Sequence, residues 1–93
     1  LILMSKYILS YNLNSISYGY EKLPAKLNTL GNALYIYRGL WLLKSDLERN
    51  EIYESIKNSF NSNDDFLIFK FEESPLGMLS EQKYDEILQI LND

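Results

Sequence analysis

The sequence predicts an α+β domain in the order β-α-β-β-α-β, with a further helix after the last strand. Three observations carry that reading. Four short runs rich in Tyr, Ile, Leu and Phe are strand-like, and only Arg38-Gly39 separates the middle two. Two segments between strands, Tyr20–Leu30 and the stretch after Asn50, space their apolar residues as helices do. The chain has 93 residues, the size of one domain, since domains run from about 50 to 250 residues. Residues 1–93 are therefore read as one unit, with 1–3 expected to be flexible.

Lys6–Asn12 opens the fold as a strand, with Tyr7, Leu9 and Tyr11 on one face and Ile8, Ser10 and Asn12 on the other. Leu13–Gly19, rich in Asn, Ser and Gly, reads as a loop. Tyr20–Leu30 reads as a helix with Leu23, Leu27 and Leu30 in one stripe. Pro24 fits a helix that has just begun, because first-turn amides have no internal acceptor. Gly31 follows where a helix C-terminus favours a residue of positive φ. Ala33–Tyr37 and Leu40–Lys44 are two strands joined by a tight turn or a bulge at Gly39. Asn50 is the expected N-cap of the next helix, with Glu51 and Glu54 toward the positive end of its dipole. Ile52, Ile56 and Phe60 make its buried stripe. Asn61–Asp64 turns the chain into Phe66–Phe71, a strand apolar on both faces. Ser80 caps a last helix, Glu81–Leu91, with Tyr84, Ile87, Leu88 and Leu91 as its apolar residues.

This order is the ferredoxin-like arrangement, an antiparallel four-stranded sheet with two helices on one face. The other face is expected to be open, large and apolar, and such a face calls for a partner. A chain this short also leaves much of its surface wet and its stability thin. Both points predict a homodimer.

The net charge of −4 weighs against broad, non-specific nucleic-acid binding, which needs clustered Lys and Arg to displace counterions. Nucleic-acid contacts, if made, are expected to be weak. The chain has no Cys and no His, which excludes thiol nucleophiles, disulfides, thiolate metal sites and the commonest general base. Catalysis would have to run on carboxylates, hydroxyls, Lys, Arg or a hard metal. No run approaches the ~20 apolar residues of a membrane helix, so no membrane association is expected, and a soluble, cytoplasmic protein is. Leu1-Ile-Leu-Met4 is too short for a signal segment, and Met4 reads as a natural start.

Three segments resemble one known group. Tyr7-Ile-Leu-Ser-Tyr-Asn-Leu-Asn14 resembles the Y-x-L-x-Y-D-L opening strand of the CRISPR-associated protein 2 family and its relatives, the SinR-like proteins and the virulence-associated protein D ribonucleases. Leu40-Trp-Leu-Leu-Lys-Ser45 is similar to the S-x-W-L-x-x-S third strand of the SinR-like branch. Asn63-Asp-Asp-Phe-Leu-Ile-Phe69 is similar to its D-D-x-L-x-V approach to strand four. The likeness runs through nearly the whole chain in order and spacing. It implies a ferredoxin-like homodimer with facing sheets. It also implies, in the nuclease members, an Asp closing strand one that meets its mate across the dimer axis and helps hold a divalent cation. Hard cations prefer oxygen ligands and activate water for phosphodiester cleavage.

In this chain the matching residue is Asn12. An amide brings no charge and cannot act as a base, so the resemblance implies a degenerate catalytic position. The structural alternative is a strand-end Asx-turn. Asp64 and Asp65 are the substitute acids if nuclease activity persists, with Mg²⁺ or Mn²⁺ as cofactor; otherwise no cofactor is expected. Their plain reading is an acidic turn. Lys6, Arg38 and Tyr18 are the candidate nucleic-acid contacts, Arg38 because the resemblance puts a basic residue at that strand turn. Trp41, Tyr35 and Phe69 are the expected dimer-interface residues, and Trp41 is expected to be buried. Three functions stay open at this point: a dimeric scaffold or binding protein with a degenerate site, acting through contacts with a protein partner or modest nucleic-acid contacts; an active metal-dependent nuclease; and an unrelated small regulatory or inhibitor protein of a mobile element that merely shares the ferredoxin-like fold.

Overall fold

The computed structural model describes residues 3–14 and 19–92, with backbone alone at 19 and 20. The fold is α+β, and the described residues form four antiparallel strands and three α-helices. The strands are β1 (Ser5–Asn12), β2 (Asn32–Tyr37), β3 (Leu40–Ser45) and β4 (Asp65–Phe71). The helices are α1 (Leu23–Leu30), α2 (Arg49–Ile56) and α3 (Glu81–Asn92). Strand order across the sheet is β2-β3-β1-β4, so β1 is central while β2 and β4 form the edges. Among the described residues, no helix is long and apolar enough to cross a membrane.

The alternation read in β1 holds. Tyr7 and Leu9 are buried against α1 and α2, in a core with Leu23, Leu27, Ile52 and Ile56. Tyr7 also donates its hydroxyl to the Leu47 carbonyl at 2.7 Å, which satisfies the one polar atom it carries inward. Leu43 and Trp41 enter the same core from β3. Pro24 sits in the first turn of α1 as expected, but the α-helix starts at Leu23, after a 3₁₀ turn over Gly19–Lys22. Phe60 reaches the core from extended backbone after a second 3₁₀ turn, Lys57–Ser59, not from a continued helix.

Three local expectations change. Gly31 does not adopt positive φ; at φ 164° its backbone is extended. Glycine is required there by close approach, since a Cβ would lie 2.1 Å from the Lys44 carbonyl oxygen. Gly39 is the residue in the left-handed region, at φ +84°, in the two-residue turn between β2 and β3. The bulge lies just before it, where pairing shifts between Tyr35 and Tyr37. The N-cap of α2 is Glu48 and not Asn50: the Glu48 N–H donates to Glu51 Oε1 at 3.0 Å, and its carbonyl accepts from Ile52 N–H at 3.1 Å. Ser80 does cap α3, accepting from the Lys83 N–H at 3.2 Å.

The second face of the sheet is not open throughout. α3 folds back over β2 and β3, and Ile87 closes a second core with Ile36 and Leu42, joined by Ile8, Leu34, Leu40, Phe71, Leu79, Ile90 and Leu91. The inward residues of α3 are therefore Ile87, Ile90 and Leu91, while Leu88 points outward. What stays bare is the β4 side, where Leu67 is 69% and Phe69 46% exposed.

Candidate functional site

β1 and β4 end together. Asn12 is the Cα partner of Asp65 across the ladder, and both are exposed. Two residues further on, Asn14 ties this end of the sheet to the turn before β4. Asn12 Nδ2 donates to Asn14 Oδ1 at 3.2 Å. Asn14 Nδ2 donates in turn to the Asn63 carbonyl at 2.8 Å and to Asp65 Oδ2 at 3.1 Å. Asp64 is held more firmly: Oδ1 accepts from the Asn14 N–H and Oδ2 from the Asn61 N–H, each at 2.9 Å. Both carboxylate oxygens thus fasten backbone amides, one across the strands and one inside the turn.

The donor sense at Asn12 matters. Its NH₂ group points at an oxygen, a contact that a carboxylate could not make. Asn14 is the residue that sequence reasoning missed. Its signal was the spacing of Asn12 and Asn14, which puts two amides on one side of a chain leaving its strand.

An open groove runs over this end, lined by Asn12, Asp64, Asp65, Tyr53, Phe66 and Leu67 among others. Its aromatic wall is a continuous stack. Tyr53 lies on Phe66 with centroids 5.7 Å apart, Phe66 on Phe60 at 4.5 Å, and Phe60 meets Tyr11 at 5.6 Å. Tyr11 accepts the Trp41 indole N–H at 3.3 Å, and Tyr35 meets Trp41 edge-on at 5.5 Å. Most of this stack serves the core.

The remaining candidates are scattered. Trp41 is 8% exposed, buried as expected, but within the α1/α2 core of its own chain. Tyr35 pairs with it on that face, whereas Phe69 pairs with Ile8 on the opposite one. The three residues expected at a dimer interface do not form one patch. Arg38 is exposed in the β2–β3 turn, at the Asn12 end of β1, since the neighbouring Gly39 carbonyl accepts from the Tyr11 N–H at 2.9 Å. Lys6 lies at the other end of β1, where it donates to the Glu72 carbonyl at 2.9 Å and sits 5.6 Å from the Phe71 ring centroid. Tyr18 lies outside the described residues.

Among the described residues, no three His, Cys, Asp or Glu side chains gather as a metal-binding group. Lys57, away from this cluster, has its pKa raised by its hydrogen bond to Glu54 and by that carboxylate's charge. Comparison with family models, curated proteins and solved structures gives no match for this chain.

Proposed function

We propose that the protein is a cytoplasmic ferredoxin-like homodimer of the CRISPR-associated protein 2 and SinR-like kind, with a degenerate nuclease site and a binding or scaffold role. The strand order β2-β3-β1-β4, with α1 and α2 against one sheet face, supports the ferredoxin-like part. The degenerate-site part rests on one observation above all, that Asn12 is engaged as a hydrogen-bond donor to Asn14. A divalent cation needs several oxygens turned toward one point. Here the Asn12 nitrogen is turned to Asn14, and both Asp64 oxygens accept backbone N–H groups. The residues at this end do not fit a cation site.

The active-nuclease reading has one observation in its favour, the exposed Asp65 carboxylate beside the groove. With Asp64 beside it fastened by two backbone amides and its own Oδ2 held by Asn14, Asp65 is a poor metal anchor. Nucleic-acid contact, if made, falls to Arg38 at the same sheet end, with Lys6 at the other, and is weak for want of a basic cluster.

The test is thermal melting of the wild type and of Asn12→Asp with and without Mn²⁺, beside RNA and DNA cleavage assays. Asp at this position sets a third carboxylate beside Asp64 and Asp65. The variant melts lower than the wild type without metal, and Mn²⁺ restores it by mass action. The wild type is indifferent to metal and cleaves neither nucleic acid. Strong metal-dependent cleavage by the wild type overturns this reading.

A further inference from the structure

The two edges of the sheet are treated differently. At the β2 edge, pairing is bulged between Tyr35 and Tyr37, and Lys83 reaches over from α3 to donate to the Tyr35 carbonyl at 2.9 Å. Bulges and lysines are standard means of blunting a strand edge. The β4 edge has neither a bulge nor a proline, and its one lysine, Lys70, lies on the helix face, opposite Tyr7 in the ladder. It runs in unbroken register along β1, from Lys6↔Phe71 to Asn12↔Asp65. It carries Leu67 and Phe69, 69% and 46% exposed, on the half of the sheet face that α3 leaves uncovered. A regular, apolar, outermost strand is a template for another strand.

We propose that β4 pairs antiparallel with β4 of a second copy, joining two sheets into one, with the two-fold axis at Ile68. This rests on the homodimer reading alone and gives it an edge-on interface, in place of the facing sheets that the resemblance implies. The case for a second copy is self-complementarity. Directly opposed residues in an antiparallel pair share a face. Centring on Ile68 therefore sets Leu67 against the second copy's Phe69, and Phe69 against its Leu67. The exposed apolar residues of both edges meet in one strip. At the ends of that strip, Asp65 falls opposite the second copy's Phe71, the ring that carries the Lys6 ammonium in the same face. Two symmetric Lys6–Asp65 attractions then flank the apolar centre, and a C₂ contact repeats each in both directions. On the helix face, Lys70 lies opposite the second copy's Phe66, a cation over an aromatic ring. Asp64 and Glu72 oppose one another only beyond the ladder, and both Asp64 oxygens are turned to the amides of Asn14 and Asn61.

Sedimentation equilibrium of the full chain tests this, with melting curves to verify that each variant folds. The expected wild-type result is a dimer at tens of micromolar. Leu67→Lys weakens it about tenfold or more by setting a charge in the apolar strip. Lys6→Glu and Asp65→Lys each weaken it by about tenfold, and the double variant recovers most of the loss because the pair is rebuilt with its signs exchanged. If Asp65→Lys fails to fold, Leu67→Lys, at an exposed position, decides alone. A wild-type dimer indifferent to all these changes overturns the β4 edge and leaves the dimer standing. In that case, loss of the dimer in Leu76→Asp and Met78→Asp, residues 99% and 97% exposed in the loop before α3, points to face-on association. A wild-type monomer removes both the edge and the dimer.

Discussion

Lys44, buried in β3, donates its ammonium to the Ile90 carbonyl at 3.2 Å, in the last turn of α3. The Leu91 carbonyl lies 3.5 Å from the same nitrogen. A helix C-terminus carries unpaired carbonyls and partial negative charge, so a cation there satisfies both. Lys44 thus latches the last helix onto the sheet. Lys44→Met keeps the apolar stem and removes the charge. Urea unfolding is expected to show a loss of about 1–3 kcal/mol, with dye binding to the uncovered face of β2 and β3 as a second readout.

Gly31→Ala is expected to destabilise by about 1–3 kcal/mol, as overpacking does. The added methyl would meet the Lys44 carbonyl oxygen, a backbone atom that cannot swing aside. Gly77→Ala is the control, since nothing lies within 4 Å of a Cβ there. Thermal melts of the two variants separate a contact effect from any general effect of losing a glycine.

Ser45 is fully buried, and its hydroxyl works twice, donating to the Leu30 carbonyl at 2.6 Å and accepting from the Leu47 N–H at 3.1 Å. Ser45→Ala strands two backbone groups in the core. A loss of about 1–3 kcal/mol in denaturant unfolding is expected.

Asp64→Ala should lower stability by about 1–2 kcal/mol with or without Mn²⁺, because its carboxylate fastens the amides of Asn14 and Asn61. A melt of Asp64→Ala that differs from the wild type only when Mn²⁺ is present would sink this structural assignment.

Trp41 fluorescence should resist iodide quenching in the native protein, since the ring is buried against α1 and α2 and its N–H is held by Tyr11. Ready quenching counts against the placement of β3.

Much of the fold was legible because strands announce themselves through alternation. Tyr7, Leu9 and Tyr11 on one side of β1 and Ile8, Ser10 and Asn12 on the other required only the period of two. The helix caps were less legible. Ser45-Asp-Leu-Glu-Arg-Asn50 offers several capping residues, and propensity alone favours Asn50 over Glu48; the choice of Glu48 depends on Glu51 reaching back. Gly31 shows a different limit. A glycine after a helix suggests positive φ, but its actual constraint is a carbonyl oxygen from a strand that follows later in the chain. The amphipathic stripe of α3 was visible while its destination was not, since periodicity names a face and never its partner. That is why half of the expected open face turned out to be covered. At the candidate site, Asn12 stood out by type. The bonds that define it, through Asn14 to Asn63, Asp64 and Asp65, cross about fifty residues and leave no local trace.

The central place of β1 has a kinetic consequence. The strand that leads the chain finds both its neighbours, β3 and β4, only after much of the remaining chain is in place. The hairpin of β2 and β3, closed by Gly39, can form early because its ends are close in sequence. Joining β1 to it closes the connection over residues 13–31, and adding β4 beside β1 closes the one over residues 46–64, each at an entropic cost. We expect the capture of β1 to limit the rate: in stopped-flow refolding, substitutions at Tyr7 or Leu9 should slow folding, whereas those at Lys44 should chiefly speed unfolding.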